Sequence, residues 1–327
     1  MKITSSEQRP ILHNNKNFRN ENPDIEKFFT MCDKEADSFP KEDNIIIDKK
    51  IVDNIDCPVC CSNLHKQLFV KNGFLHVECV TCSHIYVKNR LNDSLLINNY
   101  SDDGINKLDR KIGSNDKRKK YWMAVYEKYI NIVINRGLNY TNLIDVGTGG
   151  GRFLEYCSKH TPLDLYANDF CSDSYDSIVA LIGKDRYFYQ KKIQDIPFEN
   201  FKFDIISLWG VMEHVTEPRD IFKSCMNLLN NDGRIIVLVP NLYSRAYQIL
   251  GVRVPTLNPR NHIGFYTIES MGYLCSEFGM EIESYHQELP IIDLMYPFIH
   301  YSDTLIDEII ENNEGYYSVY IIRKVNN

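Results

Sequence analysis

The stretch Leu143–Tyr156, LIDVGTGGGRFLEY, decides the fold class. An apolar run ends in an acid, four glycines fall within five residues, and a helical pattern follows. Glycines at that point let the backbone turn sharply and leave room for a ligand lying against it. The dinucleotide fingerprint G-x-G-x-x-G fails in both registers, because its third glycine falls on Arg152 or Leu154. The phosphate-loop pattern fails too, since no G-K-[ST] follows.

The spacing that fits is Asp145-x-Gly147-x-Gly149-x-Gly151. An acid ahead of the loop would repel phosphate and suits a cationic, hydroxylated ligand. S-adenosylmethionine has an ammonium, a sulfonium and no phosphate. Asp169 closes a second run, YANDF, 24 residues on, where a carboxylate can accept both ribose hydroxyls. Phe170 beside it is placed against adenine. Asp195 in KKIQDIPF is placed on the adenine amino group, with Ile196 walling the ring. Trp209, closing FDIISLW, is counted with the cofactor-binding residues.

Outward from the loop, strand-like runs (NLIDVG, DLYANDF, RYFYQKK, FDIISLWG, GRIIVLVPN) alternate with helical ones (GRFLEYCSKH, DSYDSIVALIG, EPRDIFKSCMNLLN). That alternation implies a parallel sheet with right-handed crossovers. A helix is expected over Asp116–Arg136, with Trp122, Val125, Tyr129, Ile132 and Val133 at helical spacing. A second is expected over Thr267–Phe278, with strands at Met280–His286 and Tyr316–Lys324. The domain reading is a polar arm over 1–50 with one helix, a cysteine unit over 51–95, and a helical connector over 96–140. The main domain spans 141–327, with substrate-covering insertions at 241–266 and 289–314.

Ten cysteines in a chain read as cytosolic argue against disulfides. Cys57-x-x-Cys60 and Cys79-x-x-Cys82, separated by 18 residues, are spaced to present four thiolates tetrahedrally to a structural zinc. Cys61 stands where such ribbons usually carry glycine, and neither it nor His84 is counted as a ligand.

Residues 143–241 resemble a class I S-adenosylmethionine-dependent methyltransferase of the small-molecule type. DVGTGGGRF, the acidic end of YANDF, DIPF, FDIISLWGVMEHVTEP and LNNDGRIIVLVPN carry the resemblance. It implies an α/β, Rossmann-like, seven-stranded, mostly parallel doubly wound sheet ending in an antiparallel hairpin. With the ribbon included, the likeness extends over about residues 57–286, to bacterial methyltransferases of sugar and polysaccharide modification. There the strand after the ribbon is usually followed by Asn-Pro-Arg; here Lys88-Asn89-Arg90 lacks the proline.

Methyl transfer needs a base beside the acceptor. Glu213-His214 follows the fourth strand, and His214, with a pKa near working pH, is the first candidate. His262 in NPRNHIGFYT is the second, because a similar His precedes the next helix in the sugar-type relatives. Arg245, Arg253 and Arg260 are candidates for an anionic group on the acceptor, and Tyr243, Tyr247 and Tyr266 for its walls. Some relatives bind a divalent ion through Glu-x-x-Glu-His. Here the first position is Gly210, with Glu217 as a substitute.

The expected acceptor is a small polar molecule: a sugar, nucleotide-sugar or glycan precursor. A formal net charge of −7 argues against nucleic acid, although an RNA methyltransferase with a zinc ribbon is the rival enzyme and DKRKKYW a local basic patch. A non-catalytic scaffold is the rival of another class. No apolar run approaches the roughly 20 residues of a membrane span, and the oligomeric state is left open.

Overall fold

The computed structural model describes residues 9–10, 24–42, 46–95, 104–113, 116–170, 172, 174–196, 201–289 and 302–325. Helix α1 (Asp24–Ser38) is followed by the ribbon strands β1 (His65–Lys71), β2 (Phe74–Cys79) and β3 (Ile85–Val87). Then come α2 (Gly104–Gly113) and α3 (Asp116–Ile134). The alternating region follows as β4 (Asn142–Val146), α4 (Arg152–His160), β5 (Asp164–Asp169), α5 (Tyr175–Ile182), β6 (Tyr187–Tyr189), β7 (Phe203–Trp209), α6 (Pro218–Leu228) and β8 (Leu229–Pro240). The chain continues as α7 (Arg245–Leu250), β9 (Gly264–Phe265), α8 (Ile268–Glu277), β10 (Met280–Glu288), α9 (Asp303–Glu311) and β11 (Tyr317–Lys324).

The large sheet has seven strands in the order β6-β5-β4-β7-β8-β11-β10. β11 runs antiparallel between β8 and β10, and the pairings from β6 through β8 are parallel. The seven-stranded, mostly parallel expectation therefore holds, terminal hairpin included. Central strands covered on both faces read as unbroken apolar runs, which is why Ile205, Ile206, Ile235 and Ile236 are all fully buried despite adjacency. The NNDG stretch lies within β8, where the β7 register jumps from Phe203↔Leu229 to Ile205↔Arg234.

One face of the sheet packs against α3, α4 and α5, with Val125, Tyr129, Val133 and Leu154 against Leu143 and Ile205. The other face shares a core with the ribbon: Val59, Val77 and Tyr86 join Ile144, Phe222, Tyr266 and Tyr320. The ribbon is therefore sealed onto the main domain. Arg90 donates to the Thr216 carbonyl at 3.0 Å and Arg219 to the Val59 carbonyl at 3.1 Å.

The stretch 241–266 enters the ribbon's own sheet, whose order is β9-β3-β2-β1. The arm contributes α1 and a two-rung antiparallel ladder of Lys41–Glu42 with Ile46–Ile47; Cys32, Ala36 and Ile47 are buried, so this part of the arm belongs to the fold. In the stretch 289–314, expected as a substrate-covering insertion, residues 303–311 form α9; residues 290–301 lie outside the described residues. Among the described residues no helix is long and apolar enough to cross a membrane.

Candidate active site

The glycine loop leaves the carboxyl end of β4 and wraps the end of β5. The Gly147 and Thr148 amides donate to the Asn168 carbonyl at 2.8 and 3.1 Å. The Gly149 amide donates to Asp169 Oδ2 at 2.6 Å, and Ser174 Oγ donates to the Gly149 carbonyl at 2.5 Å. Gly147 has φ +68°, and a Cβ there would lie 2.7 Å from Val211 Cγ2. At Gly149 and Gly150 an added Cβ would meet nothing within 4 Å. Backbone bends at the first position, and open space lies beside the next two: a cradle shaped for a ligand lying on the main chain.

Asp145 stands in β4, two residues before Gly147. It is 2% exposed, and it accepts Ser207 Oγ–H at 2.6 Å. Burial raises its pKa to about 7, against lowering hydrogen bonds from Ser207 and Thr148. Asp145 thus braces the loop from beneath. Ser207 and Asn168 share this work and were missed at the sequence level, because an acid at a strand end looks the same whether it points up or down. Asp169 faces the loop, and Phe170 beside it is 53% exposed. Asp195 closes a 3-10 turn, Ile193–Asp195, with its side chain exposed, whereas Ile196 is buried in the core on the ribbon side. Trp209 packs among aromatic rings, 5.0 Å from Tyr126 and 5.1 Å from Phe153 by ring centroid.

Beyond β7, the turn Met212–His214 meets the segment that precedes β9. Glu213, His214 and His262 bring one ligand-type atom each within 4.8 Å of one another. The imidazoles pack edge to face with centroids 4.6 Å apart. His214 Nδ1 lies 3.0 Å from the Asn261 carbonyl and His262 Nδ1 2.6 Å from the Thr256 carbonyl. A carbonyl only accepts, so each Nδ1 carries the hydrogen and each Nε2 the lone pair. Glu213 is 3% exposed, and its Oε2 is buried with no hydrogen-bond partner.

Burial, with a smaller contribution from His262, lowers His214 to about 3; burial lowers His262 to about 4. Both shifts run downward from the ordinary imidazole value, because desolvation favours the neutral ring. The same desolvation raises Glu213 to about 8. Glu217 does not join the cluster; it lies 3.6 Å from Arg90, its side chain 68% exposed. His262 is the third member instead. At Gly210 φ is +67°, and a Cβ there would sit 3.4 Å from Glu213 Oε1.

Two of the three arginines are engaged within the chain. Arg245 pairs with Glu314 at 2.5 Å and Arg260 with Glu35 at 2.6 Å, while Arg253 is exposed. Tyr243 donates to Glu78 at 2.8 Å, and Tyr266 to the Met212 carbonyl at 3.3 Å. In the basic patch, Lys119 pairs with Glu155 at 3.3 Å.

The four sulfurs of Cys57, Cys60, Cys79 and Cys82 lie within 4.8 Å of one another. Cys57 and Cys82 are 3.6 Å apart, Cys60 and Cys79 3.4 Å. The hydrogen bond with Cys82 lowers Cys57 to about 6, and the same bond and burial push Cys82 far up. Four sulfurs this close together, three of them buried, fit a tetrahedral divalent ion. Cys61 is exposed, with φ +59°, which explains why glycine suits that turn.

A seven-stranded sheet with one reversed strand and a glycine cradle at the end of its first parallel strand defines a nucleoside-binding α/β transferase architecture. The methyltransferase-domain family matches residues 103–285, more than half of the chain, and the chain belongs to that family. It is 31% identical over 132 residues to a ubiquinone biosynthesis O-methyltransferase of Glaesserella parasuis serovar 5 (strain SH0165), covering 37% of this chain and 54% of that one. A protein of the same description from Haemophilus ducreyi (strain 35000HP / ATCC 700724) is 26% identical over 131 residues, covering 37% and 54%. The chain thus spans about half the length of the curated relatives it matches. Among solved structures, a plantazolicin methyltransferase has TM-score 0.49 and 15% identity, covering 71% of this chain and 94% of that one. Magnesium protoporphyrin IX methyltransferase from Synechocystis PCC 6803 has TM-score 0.49 and 10% identity, covering 71% and 100%.

Proposed function

We propose that this chain moves a methyl group from S-adenosylmethionine to a hydroxyl of a small polar acceptor: a sugar, nucleotide-sugar or glycan precursor. The observation that carries the reading is the meeting of His214 and His262 next to the glycine cradle. Val211, three residues before His214, packs directly on Gly147. The loop supplies a binding surface and the histidines a pair of neutral bases a short step away.

S-adenosylmethionine supplies an electrophilic methyl carbon. Asp169 holds the loop at Gly149 and is the proposed ribose acceptor; Asp195, Ile196 and Phe170 are proposed around adenine, and Trp209 on the methionine side. His214 Nε2 takes the acceptor's proton as the new bond forms. The Glu213 carboxyl shares the cluster, and its buried Oε2 is available to accept a hydrogen bond from the imidazolium that results. The relatives' descriptions as O-methyltransferases support oxygen as the target atom; the ribbon resemblance supports the sugar. Cys57, Cys60, Cys79 and Cys82 are proposed to hold a structural zinc, and four reduced thiols support a cytosolic setting.

A second reading keeps the donor and changes the work of the cluster. Glu213, His214 and His262 form a compact carboxylate–imidazole set with a buried unpartnered oxygen, and such a set fits a divalent ion that would orient the acceptor hydroxyl. Formation of S-adenosylhomocysteine from pooled nucleotide-sugars tests the main reading, and its loss on dialysis against a chelator that leaves the four-cysteine site loaded selects the second. No turnover of any hydroxylated small molecule, with donor bound, contradicts both.

A further inference from the structure

The segment carrying His262 is irregular backbone: after the 3-10 turn Gly251–Arg253 it runs through turns to Gly264. Its carbonyls at Thr256 and Asn261 nonetheless aim at the two imidazoles. Irregular backbone holds such an aim only where something fixes it from outside. Its outside contacts include several from the N-terminal arm and the ribbon hairpin. Arg260 Nε lies 2.6 Å from Glu35 Oε2 of α1. The Asn258 amide lies 3.8 Å from Cys32 Sγ of the same helix. The Lys71 ammonium donates to the Leu257 carbonyl.

Arg260 is the decisive contact. It is 4% exposed, and a guanidinium stays charged at any relevant pH, so burying it requires an anion. Glu35 supplies that anion from a helix outside the family match at residues 103–285. Arg260 directly precedes Asn261, whose carbonyl orients His214, and stands two residues before His262.

We propose that Glu35 is a positioning residue for the imidazole pair. By neutralising Arg260 it fixes the 256–262 backbone, and through the Thr256 and Asn261 carbonyls it holds both rings as Nδ1–H tautomers with Nε2 lone pairs directed into the cluster. A ring that loses such a bond is free to turn or to move its proton to Nε2, and is then no base for the acceptor. The α1 helix is on this account part of the acceptor-side machinery. The inference rests on the proposed role of the histidines, but its geometric content is read without any acceptor.

The experiment uses the full chain labelled with nitrogen-15 histidine and bound to S-adenosylhomocysteine. Ring-nitrogen spectra, assigned with His214→Gln and His262→Gln, should show both rings protonated at Nδ1. Glu35→Gln should weaken or average both Nδ1–H signals while S-adenosylhomocysteine affinity stays unchanged. The neutral double variant Glu35→Gln/Arg260→Gln also lacks the ion pair and should show the same weakening, whereas Glu35→Asp should retain the signals in part. Both signals unchanged in a folded Glu35→Gln chain overturns the proposal. If that chain does not fold, the Glu35→Asp spectrum decides: wild-type signals overturn, shifted ones support. Altered tautomers in a protein whose wild type methylates no acceptor would retain the positioning claim and remove the proposed function.

Discussion

His214 and His262 come from two loops on opposite sides of α6 and β8, yet their rings pack edge to face with centroids 4.6 Å apart. Each is fixed by a backbone carbonyl at its Nδ1. The backbone between them is also stitched: the Ile263 amide donates to the Glu213 carbonyl at 2.8 Å, and the Val87 amide of β3 donates to the Ile263 carbonyl at 3.0 Å. Two hydrogen bonds therefore run from the ribbon, through the His262 segment, to the Met212–His214 turn.

The glycine loop separates steric from open positions. Gly147→Ala drives a Cβ into Val211 at 2.7 Å and keeps a residue at φ +68°. Gly149→Ala adds a methyl to open space and bears only the left-handed strain, about 1 kcal/mol. We expect Gly147→Ala to lose most S-adenosylhomocysteine affinity by calorimetry while destabilising the Val211 turn. The Gly149 variant should stay fully folded and lose affinity only through contact with the ligand.

Asp169 accepts the Gly149 amide at 2.6 Å. A hydrogen bond to a charged group contributes about 1.5–3 kcal/mol. Asp169→Ala should therefore weaken S-adenosylhomocysteine binding by about 10- to 100-fold, more if the ribose contact is lost as well. An affinity within twofold of wild type, roughly 0.4 kcal/mol, would remove Asp169 from the site.

Buried histidines away from the active site set an acid limit to stability. Burial lowers His76 to about 3 and His286 to about 4. Both are neutral in the fold, while the unfolded chain protonates them below about 6.5. The unfolded state then binds more protons, so stability is full above that value and falls as pH drops toward 4. Each ring contributes a slope of up to about 1.4 kcal/mol per pH unit in that window. Chemical denaturation at pH 7 and pH 5 should show the fall, and His76→Gln should reduce the slope between them.

Much of this was legible in LIDVGTGGGRFLEY and the alternation that follows it, because parallel strands buried on both faces leave unbroken apolar runs and glycines mark the turn. The bond from Ser207 to Asp145 was not legible, because it depends on how β7 packs beside β4. The pKa of His214 was not either, since sequence gives no measure of desolvation. Arg260 read as a candidate for an anionic group on the acceptor because the anion it meets, Glu35, lies in a polar arm more than 200 residues away along the chain. Only the fold brings them together.

The four-cysteine unit should contain roughly one zinc per chain by elemental analysis. Its sulfurs are continuous with the core that contains Val77, Tyr86 and Tyr266. Chelation or Cys60→Ser should therefore loosen β1–β3, measured by hydrogen exchange, and the disturbance should reach Ile263 through the Val87 bond. Exchange confined to residues 57–82 would show that the ribbon is mechanically separate from the site.

The most direct measurement is transfer of label from methyl-labelled S-adenosylmethionine, offered separately to pooled nucleotide-sugars and to unmodified RNA. We expect label in the small-molecule fraction, reduced about 10²- to 10⁴-fold by His214→Ala, as removal of a general base requires, with donor affinity unchanged. Label that precipitates with RNA, or transfer indifferent to both His214→Ala and His262→Ala, would contradict the account.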